Sequence, residues 1–204
     1  MSQPQTTQSE QKRAAILAAA LREFEACGFR ETSMDRVAAS AGVSKRTVYN
    51  HFASKQALFD AIAERLVEHG RYEGALPYDP QRPLDEQLQI IAGQVVDMLC
   101  SPSFMTLARV TLVELIRSPD LGRNTYELFR QRQTGVANWL EAAAADGRVT
   151  IDDPVWAADQ FLGMIKAFAF WPQILGGQPA PDAATRAAII ESTCNMFLNT
   201  CARS

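Results

Sequence analysis

The chain has 204 residues, 47% of them hydrophobic and 21% charged, with a formal net charge of −3. That length supplies a hydrophobic core without disulfide or metal staples, and the balance of apolar and charged residues excludes a disordered or fibrous chain. Cys27, Cys100, Cys194 and Cys201 show neither C-x-x-C nor metal-ligand spacing, so reduced thiols are expected rather than a disulfide framework.

The start, MSQPQTTQSE, is polar and lacks the basic-then-apolar order of a signal peptide. The most apolar run, FLGMIKAFAFWPQIL, is interrupted by Lys166 and Pro172 and is too short to span a bilayer. A cytoplasmic location is therefore expected. The charge is unevenly placed. Residues 1–58 hold eight Lys/Arg against five Asp/Glu, a net of +3, and the remainder holds twelve against eighteen, a net of −6. A basic front on an acidic body points to a polyanionic partner for the front alone.

Helical periodicity runs through almost the whole chain and no stretch alternates as a strand does, so an all-α fold of about nine helices is predicted. Residues 1–9 read as a disordered arm. A first helix over about 10–27 sets Ile16, Leu17, Ala20, Leu21 and Phe24 on one face and stops at Gly28. Thr32 or Ser33 caps a second helix that buries Val37, Ala38 and Ala41, Ser44 caps a third, and Ser54 caps a fourth carrying Leu58, Phe59, Ile62 and Leu66. The segment EHGRYEGALPYDPQRP then breaks the pattern, which places a domain boundary near residues 70–83. A front domain over 10–70, with the fourth helix as connector, and a body over 71–204 follow. Body helices are predicted over about 84–100, 102–117, 119–145, 153–175 and 183–201. Three of them start on Ser-Pro or Asp-Pro, where proline suits the first turn.

Residues 33–52 have the layout of a helix-turn-helix: two short helices joined by a turn at Gly42. Val48 and Phe52, four apart, face inward. The rest of the third helix is polar and basic. Lys45 and Arg46 suit phosphates. Thr47, Tyr49, Asn50 and His51 offer donors, acceptors and a flat ring to base edges in a major groove. Backbone N–H groups at the starts of helices two and four, near Thr32/Ser33 and Ser54/Lys55, suit flanking phosphates. For Tyr49 and His51, local packing is an equal alternative.

The stretch TSMDRVAASAGVSKRTVYNHFASKQALF, with Gly28-Phe29 before it, resembles the DNA-binding domain of the TetR family of bacterial transcriptional regulators. In the body, LGRNTYELF and IDDPVWAADQFLGMI look like the AefR-like subgroup. The resemblance implies a homodimer whose third helices enter successive major grooves of a near-palindromic operator. It implies base or phosphate contact by Thr32, Ser33, Ser44, Lys45, Arg46, Thr47, Tyr49, Asn50, His51 and Lys55, with Ser44 also readable as a helix cap.

In the body, the helix at 153–175 is apolar nearly all round, so it must be covered on every side. Its stripe Trp156, Gly163, Ala167 and Trp171, with Ala187, Ile190, Cys194, Phe197 and Cys201 of the last helix, is the predicted dimer interface. Cys194 and Cys201 read as inert core thiols rather than redox sensors. Phe104, Met105, Arg109, Trp139, Phe161, Met164, Ile165 and Phe168 are the candidate lining of an effector site, with ordinary core as the plainer reading for each. Arg109, on an apolar face, suits a ligand oxygen, a structural acid or a reach to water. There is no nucleophile elbow, zinc-helix motif, phosphate loop or dinucleotide fingerprint, and the chain has only His51 and His69, so catalysis is not expected. No cofactor and no metal are called for. The predicted function is a DNA-binding repressor released by a small hydrophobic effector. The alternatives are a regulator answering a protein partner or no ligand, and an activator.

Overall fold

The first helix starts on a reciprocal cap. The Thr7 hydroxyl accepts from the Glu10 N–H at 3.3 Å while the Glu10 carboxylate accepts from the Thr7 N–H at 2.7 Å, so two orphan donors of the helix end are satisfied together. Order thus begins before the predicted limit of residue 9. The structure, a computed structural model, describes residues 7–69, 77–132 and 135–201; positions 1–6 of the expected arm lie outside them, as do 70–76 of the expected domain boundary.

Eleven helical segments and no strand occur among the described residues. They are α1 (Gln8–Glu31), α2 (Met34–Ala41), α3 (Lys45–His51), α4 (Lys55–His69), α5 (Leu84–Leu99), α6 (Pro102–Arg117), α7 (Pro119–Arg132), α8 (Gly135–Ala145), α9 (Pro154–Ala169), α10 (Trp171–Ile174) and α11 (Ala183–Cys201). The all-α expectation holds. The number differs from nine in two places. The stretch read as one helix over 119–145 is two, α7 and α8. The helix read over 153–175 ends at Ala169, and a short α10 follows with Pro172 in its first turn, where its missing N–H costs nothing. Within α1 the backbone breaks at Gly28, at φ +80° and ψ 159°, a conformation essentially restricted to glycine.

The chain divides into two compact units. One runs through Leu66 and adds Thr106–Thr125; the other comprises Val67–Met105 and the chain from Tyr126 onward. The first division falls after Leu66, inside α4, and residues 106–125 group with the front of the chain. The first unit buries Ile16, Leu17, Phe24, Val37, Val48, Leu58, Phe59 and Ile62. In the second, α5, α8, α9 and α11 pack together over Leu88, Ile91, Val95, Leu140, Phe161, Leu162 and Ile165. Gln87 is fully buried there. Its amide donates to the carbonyls of Asp79 and Arg82 at 2.9 and 3.0 Å, and its carbonyl accepts from the Asp79 N–H and Trp139 Nε1 at 2.9 and 3.3 Å. A buried amide used this fully fixes the turn before α5 against α8. Among the described residues no single helix is long and apolar enough to cross a membrane.

Candidate nucleic-acid interface

The turn between α2 and α3 is built by its own backbone. Gly42 takes the left-handed conformation at φ +65°. The Val43 N–H then reaches back to the Ala38 carbonyl at 3.1 Å and the Gly42 N–H to that of Ala39 at 3.2 Å, which closes the end of α2. Ser33 and Ser44 cap α2 and α3: their hydroxyls accept from the N–H of Arg36 at 3.2 Å and of Thr47 at 3.1 Å. Such caps are worth about 1 kcal/mol each. The Ser44 and Thr47 hydroxyls also lie 2.8 Å apart in a hydrogen bond.

α3 is anchored by Val48 and Phe52, both buried, and the Arg13 guanidinium covers the Phe52 ring at 5.0 Å. Opposite this anchor, Lys45, Arg46, Tyr49 and Asn50 are all exposed. They are spaced i, i+1, i+4 and i+5, so they form one continuous face. Thr47 and His51 flank it, half-buried. The Tyr49 ring is 45% exposed, an uncommon position for an aromatic side chain with no partner to meet.

Two of the predicted contact residues are placed differently. Thr32 is buried, and its hydroxyl donates to the carbonyls of Gly28 and Glu23 at 2.9 and 3.1 Å. Its side chain is committed to closing the end of α1. The Lys55 ammonium donates to the carbonyls of Arg30 and Thr32 at 2.8 and 2.9 Å and lies 4.7 Å above the Phe29 ring. It neutralises the carbonyl end of α1, where cations are favoured, and binds α4 to that end. Periodicity locates both residues correctly at helix ends. It cannot show that the partner is an earlier helix.

One residue of this surface escapes the sequence reading. Asp35, in the first turn of α2, holds the Lys45 ammonium between its two oxygens at 2.7 and 3.0 Å, and that hydrogen bond raises the lysine above its ordinary pKa. Only the fold brings positions ten apart across the turn into contact.

The body's candidates separate into three groups. Phe104, Met105, Trp139, Phe161 and Ile165 are buried, and Met164 is half-buried. Phe161 meets Phe197 edge-on at 5.2 Å, and Trp139 meets Tyr78 at 5.9 Å while bonding Gln87. These are core packing contacts. Phe168, placed by the sequence in an effector lining, is instead 61% exposed on the outer side of α9, and Arg109 is exposed on α6, as a reach to water would have it. The predicted interface also divides. Trp156, Gly163 and Ala167 on α9, Trp171 at the start of α10 and Ala187 on α11 are exposed, Ile190 and Cys201 are half-buried, and Cys194 and Phe197 are buried within the chain. Cys194 and Phe197 are buried on the helix that packs on α5 and α9, and Met196, 63% exposed, marks the outer face of α11. Burial pushes the Cys194 thiol up to about 12. No cluster of three or more metal-ligating side chains exists among the described residues.

The chain matches two family descriptions that tile it: "Bacterial regulatory proteins, tetR family" over residues 16–62 and "AefR-like transcriptional repressor, C-terminal domain" over residues 86–202. The chain belongs to the TetR family. A TetR-family transcriptional regulator from Pseudomonas syringae pv. tomato str. DC3000 superposes with a TM-score of 0.81 and 38% identity, over 96% of this chain and 99% of that one. The flavonoid-responsive regulator FrrA superposes with a TM-score of 0.71 and 32% identity, over 94% and 97%. The regulator EthR of Mycolicibacterium smegmatis is 35% identical over 142 residues, which is 67% of this chain and 59% of EthR. The helix-turn-helix described above is therefore that of a TetR-family transcriptional regulator, and family and relatives alike are regulators rather than enzymes.

Proposed function

We propose that this TetR-family regulator binds a near-palindromic operator as a homodimer, reads each half-site with one α3, and acts as a repressor that a small apolar effector releases. The observation that carries the DNA reading is the α3 face itself. Four polar or basic side chains, Lys45, Arg46, Tyr49 and Asn50, are displayed outward from a helix held by Val48 and Phe52. Arg46 and Lys45 supply phosphate or guanine contacts. Asn50 suits the paired donor and acceptor of adenine, and Tyr49 suits a thymine methyl or a phosphate. The capped starts of α2 and α4 aim free N–H groups at the backbone on either side.

A dimer supplies the second reading helix. The outer side of α9, where Val155, Trp156 and Phe168 are exposed with Gly163 and Ala167 and Trp171 follows at the start of α10, is too apolar for a surface left in water. A Cβ at Gly163 would meet open space, so a partner helix can approach closely there. The effector reading draws on kinship with FrrA, which is flavonoid-responsive by name. An effector shifts operator affinity only by binding the two states unequally.

The test compares wild type with Asn50→Ala and Tyr49→Ala on a selected operator and on scrambled DNA. Loss of about 1–3 kcal/mol on the operator alone for Asn50→Ala is expected for a base contact. Equal loss on both DNAs would assign α3 to backbone binding and sink the base-reading role.

A further inference from the structure

The stretch from Thr32 to Phe59, which covers α2, α3 and the start of α4, holds four cations, Arg36, Lys45, Arg46 and Lys55, and a single acid, Asp35. Such a surface suits a polyanion, and a carboxylate on it repels phosphates. The placement of that carboxylate is specific. Asp35 stands in the first turn of α2, where a negative charge also suits the helix end. Its two oxygens lie 2.7 and 3.0 Å from the ammonium of Lys45, the first residue of α3. The other three cations are used differently. Arg36 is turned to Glu23 of α1, and Lys55 to the carbonyls of Arg30 and Thr32. Arg46 is exposed and has no carboxylate partner among the described residues.

The pair of Asp35 and Lys45 does little for stability. Both side chains are more than half exposed, and exposed ion pairs contribute little to folding. Its effect is on what the lysine can do. A free lysine is a compact point charge on a flexible stem and follows whichever phosphate is near. Lys45 is instead held on both oxygens of one carboxylate, whose hydrogen bond raises it above its ordinary pKa and keeps it charged. The pair carries no net charge, so it adds little to the attraction for DNA of any sequence. With two oxygens bound, one of the three donors of the ammonium is left over. That donor starts from a fixed point at the N-terminal end of α3, the end that meets base edges in a helix-turn-helix.

We infer that Asp35 is a positioning residue for operator recognition: it holds Lys45 as a reader of a guanine edge and keeps it from serving as a counterion to any phosphate in reach. The role rests on the reading of α3 proposed above. It adds a residue that touches no base and yet sets the ratio of operator to non-specific binding.

The test is a cycle of wild type, Asp35→Asn, Lys45→Met and the double variant, each as the full chain. Affinity for the selected operator and for scrambled DNA of equal length is measured across salt. Both positions are exposed, and melting curves show that each variant folds. Asp35→Asn keeps the shape of the side chain and frees Lys45. Its binding to scrambled DNA is expected to tighten, with a salt slope steeper by about 0.9 per chain, while the operator-to-scrambled ratio falls about tenfold. Lys45→Met should lower the ratio to a similar level. The double variant should lose the extra slope and keep the low ratio. An extra slope that survives in the double variant overturns the assignment, because removal of any acid from the surface would then explain it. A wild-type preference for the operator that Asp35→Asn leaves intact overturns the role of Asp35 alone. A wild type that binds operator and scrambled DNA alike overturns the reading of α3 itself.

Discussion

Replacing Lys55 by Met separates two roles that its position at the start of α4 makes equally reasonable. As a phosphate ligand it would reach outward to DNA. In the structure it reaches inward, to the carbonyls of Arg30 and Thr32 at 2.8 and 2.9 Å and to the face of Phe29. Charge-assisted hydrogen bonds are worth about 1.5–3 kcal/mol when enclosed. Lys55 is only half-buried, so about 1 kcal/mol each is the appropriate scale after solvent screening. The ring contact adds about 0.5 kcal/mol at a site of this exposure. Lys55→Met keeps the hydrocarbon stem and removes the donors, and so should cost about 1–3 kcal/mol. Urea unfolding of the full chain measures the loss. Salt dependence of operator binding measures the other role, because each phosphate contact contributes a slope of about 0.9 in log K against log salt. The inward role leaves that slope unchanged. A slope lowered by about 1.8 per dimer, with stability intact, would refute the structural assignment and restore Lys55 to the DNA contacts.

Three other outcomes can be checked. Thr111 is fully buried and its hydroxyl has no hydrogen-bond partner among the described residues, so Thr111→Val should raise stability by about 1 kcal/mol in chemical denaturation; a loss would mean that the hydroxyl is paired. Trp156→Glu places a charge in the exposed apolar side of α9 and should convert the proposed dimer to monomer in analytical ultracentrifugation, with melting changed little; an intact dimer would move the proposed interface elsewhere. Cys194 is buried and its thiol is raised to about 12, so it should resist alkylation at neutral pH until the chain unfolds; mass spectrometry showing rapid labelling of the native protein would contradict this.

The reading head was largely legible because its signals are local. Gly42, the serine caps at positions 33, 44 and 54, and the Val48–Phe52 pair each act within a few residues, and a helix-turn-helix is little more than their sum. What was not legible involves partners distant in sequence. Thr32 and Lys55 look like DNA ligands until α1 supplies the carbonyls they bind. Asp35 looks like an ordinary first-turn acid until α3 brings Lys45 to it. In the body the difficulty is periodicity itself. α11 has apolar residues on more than one stripe, and spacing alone does not tell which stripe faces its own core. Cys194 and Phe197 turned inward, and the exposed α9 stripe remained. Phe168 was misplaced for the same reason: one position along an all-round apolar helix rotates a side chain by about 100°.

The most direct measurement is selection from a random duplex pool by the purified full-length protein, followed by binding of the enriched sequence across a range of salt concentrations. The expected result is an inverted repeat whose half-sites lie about one helical turn apart, bound by two chains with a steep salt slope and with specificity lost in Asn50→Ala. Recovery of no common sequence, or a site bound equally well by the Asn50→Ala and Tyr49→Ala variants, would contradict the claim that α3 reads an operator.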